Sequence, residues 1–230
     1  MKRKTIVYLI MALMLSGFPG ILGLGILPAV IHAEESPLTL DEILDRVEQR
    51  YAGEGFSARF DQTSIIKAID IADTAQGRIL VKRPGMMRWE YQTPEKQTII
   101  TDGSRLWIYR PELNQVMVGD APEYLGDGKG ASFISNINLI REKFSLIMDK
   151  GEGEPDYIIN LLPINKIPEV AYIKLRISKN RFEITGIITY NPYGDETRIE
   201  LSNFKFDQHL KDSLFRFQAP EGTDIIRIGD

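Results

Sequence analysis

The sequence predicts a mainly antiparallel β fold of the α+β kind, and three observations carry that reading. Segments in which apolar and polar residues alternate recur along the chain, the period-two pattern of a strand with one face covered. Successive segments are joined by short turns, which makes an antiparallel meander. Two stretches break the rhythm with apolar residues three and four apart, the spacing of a helix.

The elements follow in order. Residues 1–33 read as a targeting segment. Lys2, Arg3 and Lys4 form a positive start, Ile6 to Leu15 is an apolar run, and Ile31-His32-Ala33 is a cleavage site before Glu34, with Ile31 where a small residue is preferred. The uncharged stretch continues from Thr5 to Ile31, long enough to span a bilayer as an uncleaved anchor. Gly17, Pro19, Gly20, Gly23, Gly25 and Pro28 interrupt its second half, so a cleaved signal peptide is expected. Either way the basic end stays in the cytoplasm and the body lies outside it. Residues 34–230 are then expected as a single domain of 197 residues, enough for a real core.

Thr39 with Glu42 has capping-box spacing, and Leu40, Ile43, Leu44, Val47 and Tyr51 share a helical face. From Phe56 the pattern turns to strands: Phe56, Ala58 and Phe60, then Gly77 to Lys82, then Met87 to Tyr91. "TIITDGSRLWIY" is a hairpin turning at Asp102-Gly103. Gln115 to Val118 adds a strand. Ala121 to Met148 opens with a glycine loop, and Phe133, Ile137, Ile140 and Phe144 are spaced four, three and four, so a helix is expected there. Strands resume at Ile158 to Leu162, Ile173 to Ile177, Phe182 to Tyr190 and Glu196 to Phe206. In the last, Ile199 and Leu201 have one parity and Phe204 and Phe206 the other, which calls for a bulge near Ser202-Asn203.

Composition narrows function. There is no cysteine, hence no disulfide framework and no lipidation at a cysteine. Removing residues 1–33 takes the net charge from −4 to −7, which argues against nucleic acid and anionic membrane as partners. Enzyme chemistry finds little support. His209 is the only histidine of the mature part and sits in the polar stretch "DQHLKDS". Ser64-Ile65-Ile66-Lys67 matches S-x-x-K, but in a strand or loop those side chains face opposite ways, and the companion motifs are missing. "GDGKGAS" lacks the G-K-[S/T] ending of a phosphate loop. No metal site and no cofactor is expected.

What stands out is an apolar inventory. "KRPGMMRWEY" puts Met87, Trp89 and Tyr91 on one face of a strand. Trp107, Tyr109, Met117 and Met148 add to it. Composition leaves two readings open, an ordinary core or a ligand pocket.

"FSARFDQ", "GRILVKRPGMMRWEY", "TDGSRLWIYRPELNQV" and "ELSNFKFDQHLKDSLFRFQAPEGTDII" together resemble the LolA family, periplasmic carriers of outer-membrane lipoproteins in Gram-negative bacteria. The resemblance implies an incomplete, strongly curved antiparallel β-barrel with helices covering the concave apolar side. It implies a periplasmic chaperone, not an enzyme, that takes acylated lipoproteins from an inner-membrane ABC transporter to an outer-membrane acceptor. A monomer is expected. Met87, Trp89, Tyr91, Trp107, Tyr109, Phe133, Ile137 and Ile140 become candidate walls of an apolar trough. Arg83, in the K-R-P motif, becomes a candidate latch that holds a lid shut through hydrogen bonds to lid carbonyls. A carrier of another lipid or glycolipid, or a lipoprotein sensor, on the same fold is the competing reading, and a serine hydrolase using Ser64 or His209 is a third.

Overall fold

The computed structural model describes residues 37–126, 132–149 and 155–229; the targeting segment read at 1–33 lies outside them. Helix α1 (Leu40–Arg50) begins at the expected capping box. Glu42 N–H donates to Thr39 Oγ1 at 3.3 Å and Thr39 N–H donates to the Glu42 carboxylate at 2.8 Å, so two orphan donors are satisfied reciprocally. Ile43, Leu44 and Val47 form its buried face. Its far end is pinned by Arg50, 2.7 Å from the buried Glu183 carboxylate, and by the Tyr51 hydroxyl, which accepts from Ile184 N–H at 3.0 Å.

Six strands then meander: β1 (Gly55–Ile66), β2 (Ile71–Lys82), β3 (Met86–Thr93), β4 (Gln97–Thr101), β5 (Arg105–Arg110) and β6 (Gln115–Asp120). The predicted turn closes β4 and β5. Asp102 Oδ1 accepts from Ser104 and Arg105 N–H at 2.9 and 2.8 Å, and Gly103 takes φ +92°, a conformation glycine adopts without steric cost. Helix α2 (Ala121–Leu125), a tight 3-10 turn (Ser132–Ser135) and helix α3 (Leu139–Lys143) lead to the second meander. It comprises β7 (Phe144–Asp149), β8 (Asp156–Pro163), β9 (Tyr172–Ser178), β10 (Ile184–Tyr190) and β11 (Glu196–Lys205). After a C-terminal segment comes β12 (Asp224–Arg227).

All twelve strands belong to one curved sheet, in the order β12-β6-β5-β4-β3-β2-β1-β11-β10-β9-β8-β7. The first strand of one meander and the last of the other, β1 and β11, pair antiparallel and join the halves. Only β12 runs parallel to its neighbour, β6. The outermost strands, β7 and β12, do not pair with each other, so the barrel stays open. The expected bulge is present: Ser57 pairs with Lys205 and Arg59 with Ser202, and Asn203 takes φ +53°. It restores the phase, so Ile199, Leu201, Phe204 and Phe206 all join the same core.

One expectation is corrected. The spacing of Phe133, Ile137, Ile140 and Phe144 does not make one helix through Met148. It is built from a 3-10 turn, a bend and a five-residue helix, and Phe144 already begins β7. From there the period is two: Phe144 is buried, Leu146 and Met148 are half-buried, and the residues between are exposed. Pairing with β8 along all six residues supplies backbone partners that an isolated short helix lacks.

The main core lies on one face of this sheet. Phe60, Ile79, Met87, Trp89, Ile159, Leu161, Ile173, Leu175, Ile187 and Leu201 meet Ile43, Leu44 and Val47 of α1 and Phe133, Ile134, Ile137 and Ile140 of the connecting segment. The C-terminal segment crosses the other face. Lys82 Nζ reaches the Leu210 carbonyl at 2.8 Å and Asp212 at 2.6 Å, and Arg88 Nη1 reaches the Leu214 carbonyl at 3.2 Å. Phe215 in this segment is fully buried.

Candidate functional site

Residues opposite one another across an antiparallel pair share a face. Ile79, Trp89, Ile99 and Ile108 are such a row, as are Leu80, Arg88, Ile100 and Trp107. The first row faces the core, so Met87, Trp89 and Tyr91 do too. They bound an apolar cavity of about 200 Å³ together with Ile99, Thr101, Leu125, Ser132 and Ile199. Phe60 buttresses its wall, edge-on to Trp89 at 5.0 Å and Tyr91 at 4.9 Å. Gly77 makes that approach possible. A Cβ there would lie 2.0 Å from the Glu90 carbonyl oxygen and 2.9 Å from the Phe60 ring. The Tyr91 hydroxyl donates to Gln62 Oε1 at 3.0 Å, and burial raises its pKa, so it stays neutral.

The cavity adjoins a wider groove of about 600 Å³. The two share Met87, Thr101, Leu125 and Ser132, and the groove adds polar and backbone-rich positions such as Gly85, Asp102, Ser104, Asn136 and Lys143. Pro84, Ala121, Pro122 and Leu139 line the groove as well, so an apolar chamber meets a groove of mixed lining, more polar than the chamber, along one line of residues.

The connecting segment 132–143 caps this arrangement. Phe133, Ile137 and Ile140 point into the core cluster and are sealed from solvent. They pack beside the cavity without lining it. A single arginine ties the segment to α1. Arg141 Nη1 donates to Asp41 at 2.7 Å, Nη2 to Asp45 at 2.5 Å and Nε to Glu48 at 2.7 Å. Partial burial works against the Arg141 charge, but Glu48, Asp41 and Asp45 overcome it and raise its pKa. Sequence reading missed this clamp. Its signal was there: acids at 41, 45 and 48 lie on one face of a helix.

Two candidate wall residues are corrected. Trp107 and Tyr109 belong to the second row and face away from the cavity. Tyr109 packs instead against Phe217 of the C-terminal segment, ring centroids 4.9 Å apart. Choosing residues by bulk ignored strand parity, which separates Ile108 from both neighbours. Ile99, Leu125 and Ile199, which do line the cavity, were not singled out from sequence. Ile99 was recoverable from the hairpin register, whereas Leu125 and Ile199 come from distant elements.

Arg83 differs from its expected role as well. Its N–H donates to the Glu54 carbonyl at 3.0 Å. Among the described residues its side chain makes no hydrogen bond to segment 132–143, and its Nη2 is buried without a partner. Burial pushes the guanidinium pKa below its ordinary value, partly offset by Tyr51 nearby. Arg83 therefore sits by the far end of α1, and the capping segment reaches that helix through Arg141, along its length from Asp41 to Glu48.

The hydrolase candidates do not assemble. His209 is almost fully exposed, with Nδ1 2.7 Å from Glu54. The Ser64 hydroxyl accepts from Gln62 at 3.2 Å, and Lys67 lies beyond the end of β1, its N–H bound to Asp195.

The family model described as "Outer membrane lipoprotein carrier protein LolA" matches residues 52–218. An outer-membrane lipoprotein carrier protein of Nitrosomonas europaea is 30% identical over 172 residues, covering 75% of this chain and 82% of the relative. One of Azotobacter vinelandii is 27% identical over 194 residues, covering 84% and 89%. A crystal structure of an uncharacterized conserved protein from Thermus thermophilus shares the fold at a TM-score of 0.54, with 16% identity over 82% of this chain and 98% of that one. By sequence over most of its length, and with an open antiparallel sheet to match, this chain belongs to the LolA family.

Proposed function

We propose that this chain is a periplasmic carrier that binds the acyl chains of lipoproteins leaving the inner membrane and delivers them to an outer-membrane acceptor. One observation carries the reading: an apolar cavity on the concave face, capped by a segment whose own apolar side chains share the rest of that face with those of α1. Each methylene withdrawn from water is worth about 0.8 kcal/mol. A lipid anchor with dozens of methylenes cannot cross water free, and it needs an apolar trough more than a polar site.

At about 200 Å³ the cavity is smaller than ordinary ligand pockets, which run from ~300 Å³ upward. A whole anchor fits only when segment 132–143 swings out and gives up the space of Phe133, Ile134, Ile137 and Ile140. Cargo and the segment then compete for one apolar surface, and the empty carrier keeps that surface covered. Arg141 on its three acids sets how readily the segment leaves. The relatives' names support lipoprotein as cargo. The donor in this reading is an inner-membrane ABC transporter, the acceptor an outer-membrane protein, and residues 1–33 a signal that directs export.

The test is release and transfer. Added to spheroplasts, the purified protein is expected to bring acylated lipoproteins into solution and to co-purify with them by mass spectrometry. Recovery of free glycolipid alone would replace lipoprotein by another lipid as cargo. Arg83 keeps a place in the proposal as a half-buried cation whose free donor awaits a partner in another state of the cycle. Arg83→Leu is expected to load lipoprotein and fail to pass it on; normal transfer removes Arg83 from the mechanism.

A further inference from the structure

Four residues border both the apolar cavity and the wider groove of mixed lining: Met87, Thr101, Leu125 and Ser132. Two of them carry hydroxyls, and both are buried, Thr101 at 2% and Ser132 at 4% exposure. Among the described residues Ser132 Oγ has no hydrogen-bond partner. Its neighbour Ser135 is satisfied, since Ser135 Oγ donates to the Ser132 carbonyl at 2.7 Å. Thr101 Oγ1 accepts from Gly103 N–H at 3.0 Å, and a hydroxyl that accepts keeps its own hydrogen to give. The one other hydroxyl of the cavity wall, on Tyr91, is already donated to Gln62. A buried polar group without a partner is costly, and such groups in native proteins call for an explanation.

We propose that this neck reads the carbonyl of an acyl chain. The hydrocarbon tail lies in the cavity, the ester or amide carbonyl at the neck accepts from Ser132 Oγ–H with Thr101 as a second donor, and the polar head extends into the groove. The inference rests on the acyl-carrier reading above and adds a subsite to it. The match is one of chemistry. Where the tail of an acylated molecule meets its head the strongest acceptor is the carbonyl oxygen, and here donors sit where the apolar wall gives way to a groove of mixed lining. Size agrees too. About 200 Å³ at ~30 Å³ per water-sized group holds about seven, the tail of an eight-carbon acyl chain. The closed form therefore admits the end of one chain before the capping segment leaves, and the neck is where loading begins.

The test uses the whole exported protein with Trp107→Phe, which leaves Trp89 in the cavity wall as the sole tryptophan. Its fluorescence is titrated with 1-octanoylglycerol and with 1-O-octylglycerol, which share tail and head and differ in the carbonyl. The ester is expected to bind about fivefold tighter, the factor one net hydrogen bond carries. Ser132→Ala is expected to remove most of that preference, and Ser132→Ala with Thr101→Val all of it. A cysteine lipopeptide bearing octanoyl esters is expected to bind at least as well as the glyceride and to lose affinity in the same variants; binding of the glyceride alone would overturn a lipoprotein source for the carbonyl. Equal affinity of ester and ether for the unsubstituted neck overturns the carbonyl reader and leaves the acyl cavity standing. Failure of every probe to alter Trp89 emission overturns both.

Discussion

The two faces of the sheet bury similar side chains and are closed in different ways. On the convex face the C-terminal segment is strapped down from the strands: Lys82 and Arg88 donate to its backbone carbonyls, Phe215 is sealed, and Phe217 packs on Tyr109. On the concave face segment 132–143 is held from α1 by one side chain, Arg141, and covers a cavity with an unpartnered hydroxyl at its neck. Bonds to main chain fix a segment wherever it passes. The ionic clamp of Arg141 and a main-chain bond from Ile164 N–H to the Lys143 carbonyl at 2.9 Å hold segment 132–143 toward its C-terminal end, over an incompletely filled space. The first is how a fold is made permanent, and the second is how it is made to open.

Paired truncations test that contrast most strongly. Phe215→Ala is expected to cost about 3–5 kcal/mol in urea unfolding, from lost burial and the space left behind, with acyl-probe binding unchanged. Phe133→Ala, equally buried, is expected to enlarge the chamber and tighten acyl-probe binding. Equal behaviour of the two variants in binding would break the distinction between strap and cap.

The clamp comes next. Exposed ion pairs contribute about 0.2–1 kcal/mol each, and three acids share one arginine, so Arg141→Ala is expected to favour opening by about 1–2 kcal/mol. Amide hydrogen exchange in residues 132–143 then quickens, while the β1–β2 and β9–β10 amides stay protected. Added salt shifts the unsubstituted protein the same way. Unchanged exchange in the variant would show that apolar contacts alone hold the segment.

The smallest expected effect lies on the convex face. Burial works to raise the Glu90 pKa, but hydrogen bonds from Arg78 and Arg88, each 2.6 Å away, lower it overall. A carboxyl depressed in the folded state stabilises above its unfolded pKa, and the contribution disappears as pH falls through the folded value. Glu90→Gln is therefore expected to lower stability near neutral pH and to flatten the loss of stability on acidification. A cap on the opposite face should not feel it, so exchange in residues 132–143 stays as it was.

Local patterning was legible wherever one residue's neighbours in sequence decide its environment. The capping box of Thr39 and Glu42, the Asp102-Gly103 turn and the parity change at Asn203 are of this kind. The stretch after Phe133 was not, because a four-three-four spacing fits a helix and also a broken path whose side chains happen to converge. The site divides along the same line. Met87, Trp89 and Tyr91 share a face by strand geometry alone, and they do bound the cavity. Trp107 and Tyr109 needed the register of β4 with β5 to be placed correctly.

By itself, then, the sequence determined most of the strands, the antiparallel meander that joins them and the resemblance to a family, since alternation, turns and motif are written in consecutive residues, while β7 and the parallel β12 escaped it. Tertiary structure alone decided that β1 meets β11, that the sheet stays open, that Arg141 joins the capping segment to α1, and that Ser132 and Thr101 both border the cavity and the groove. Those outcomes depend on elements far apart in the chain arriving at one place, and no local pattern encodes a distance between them.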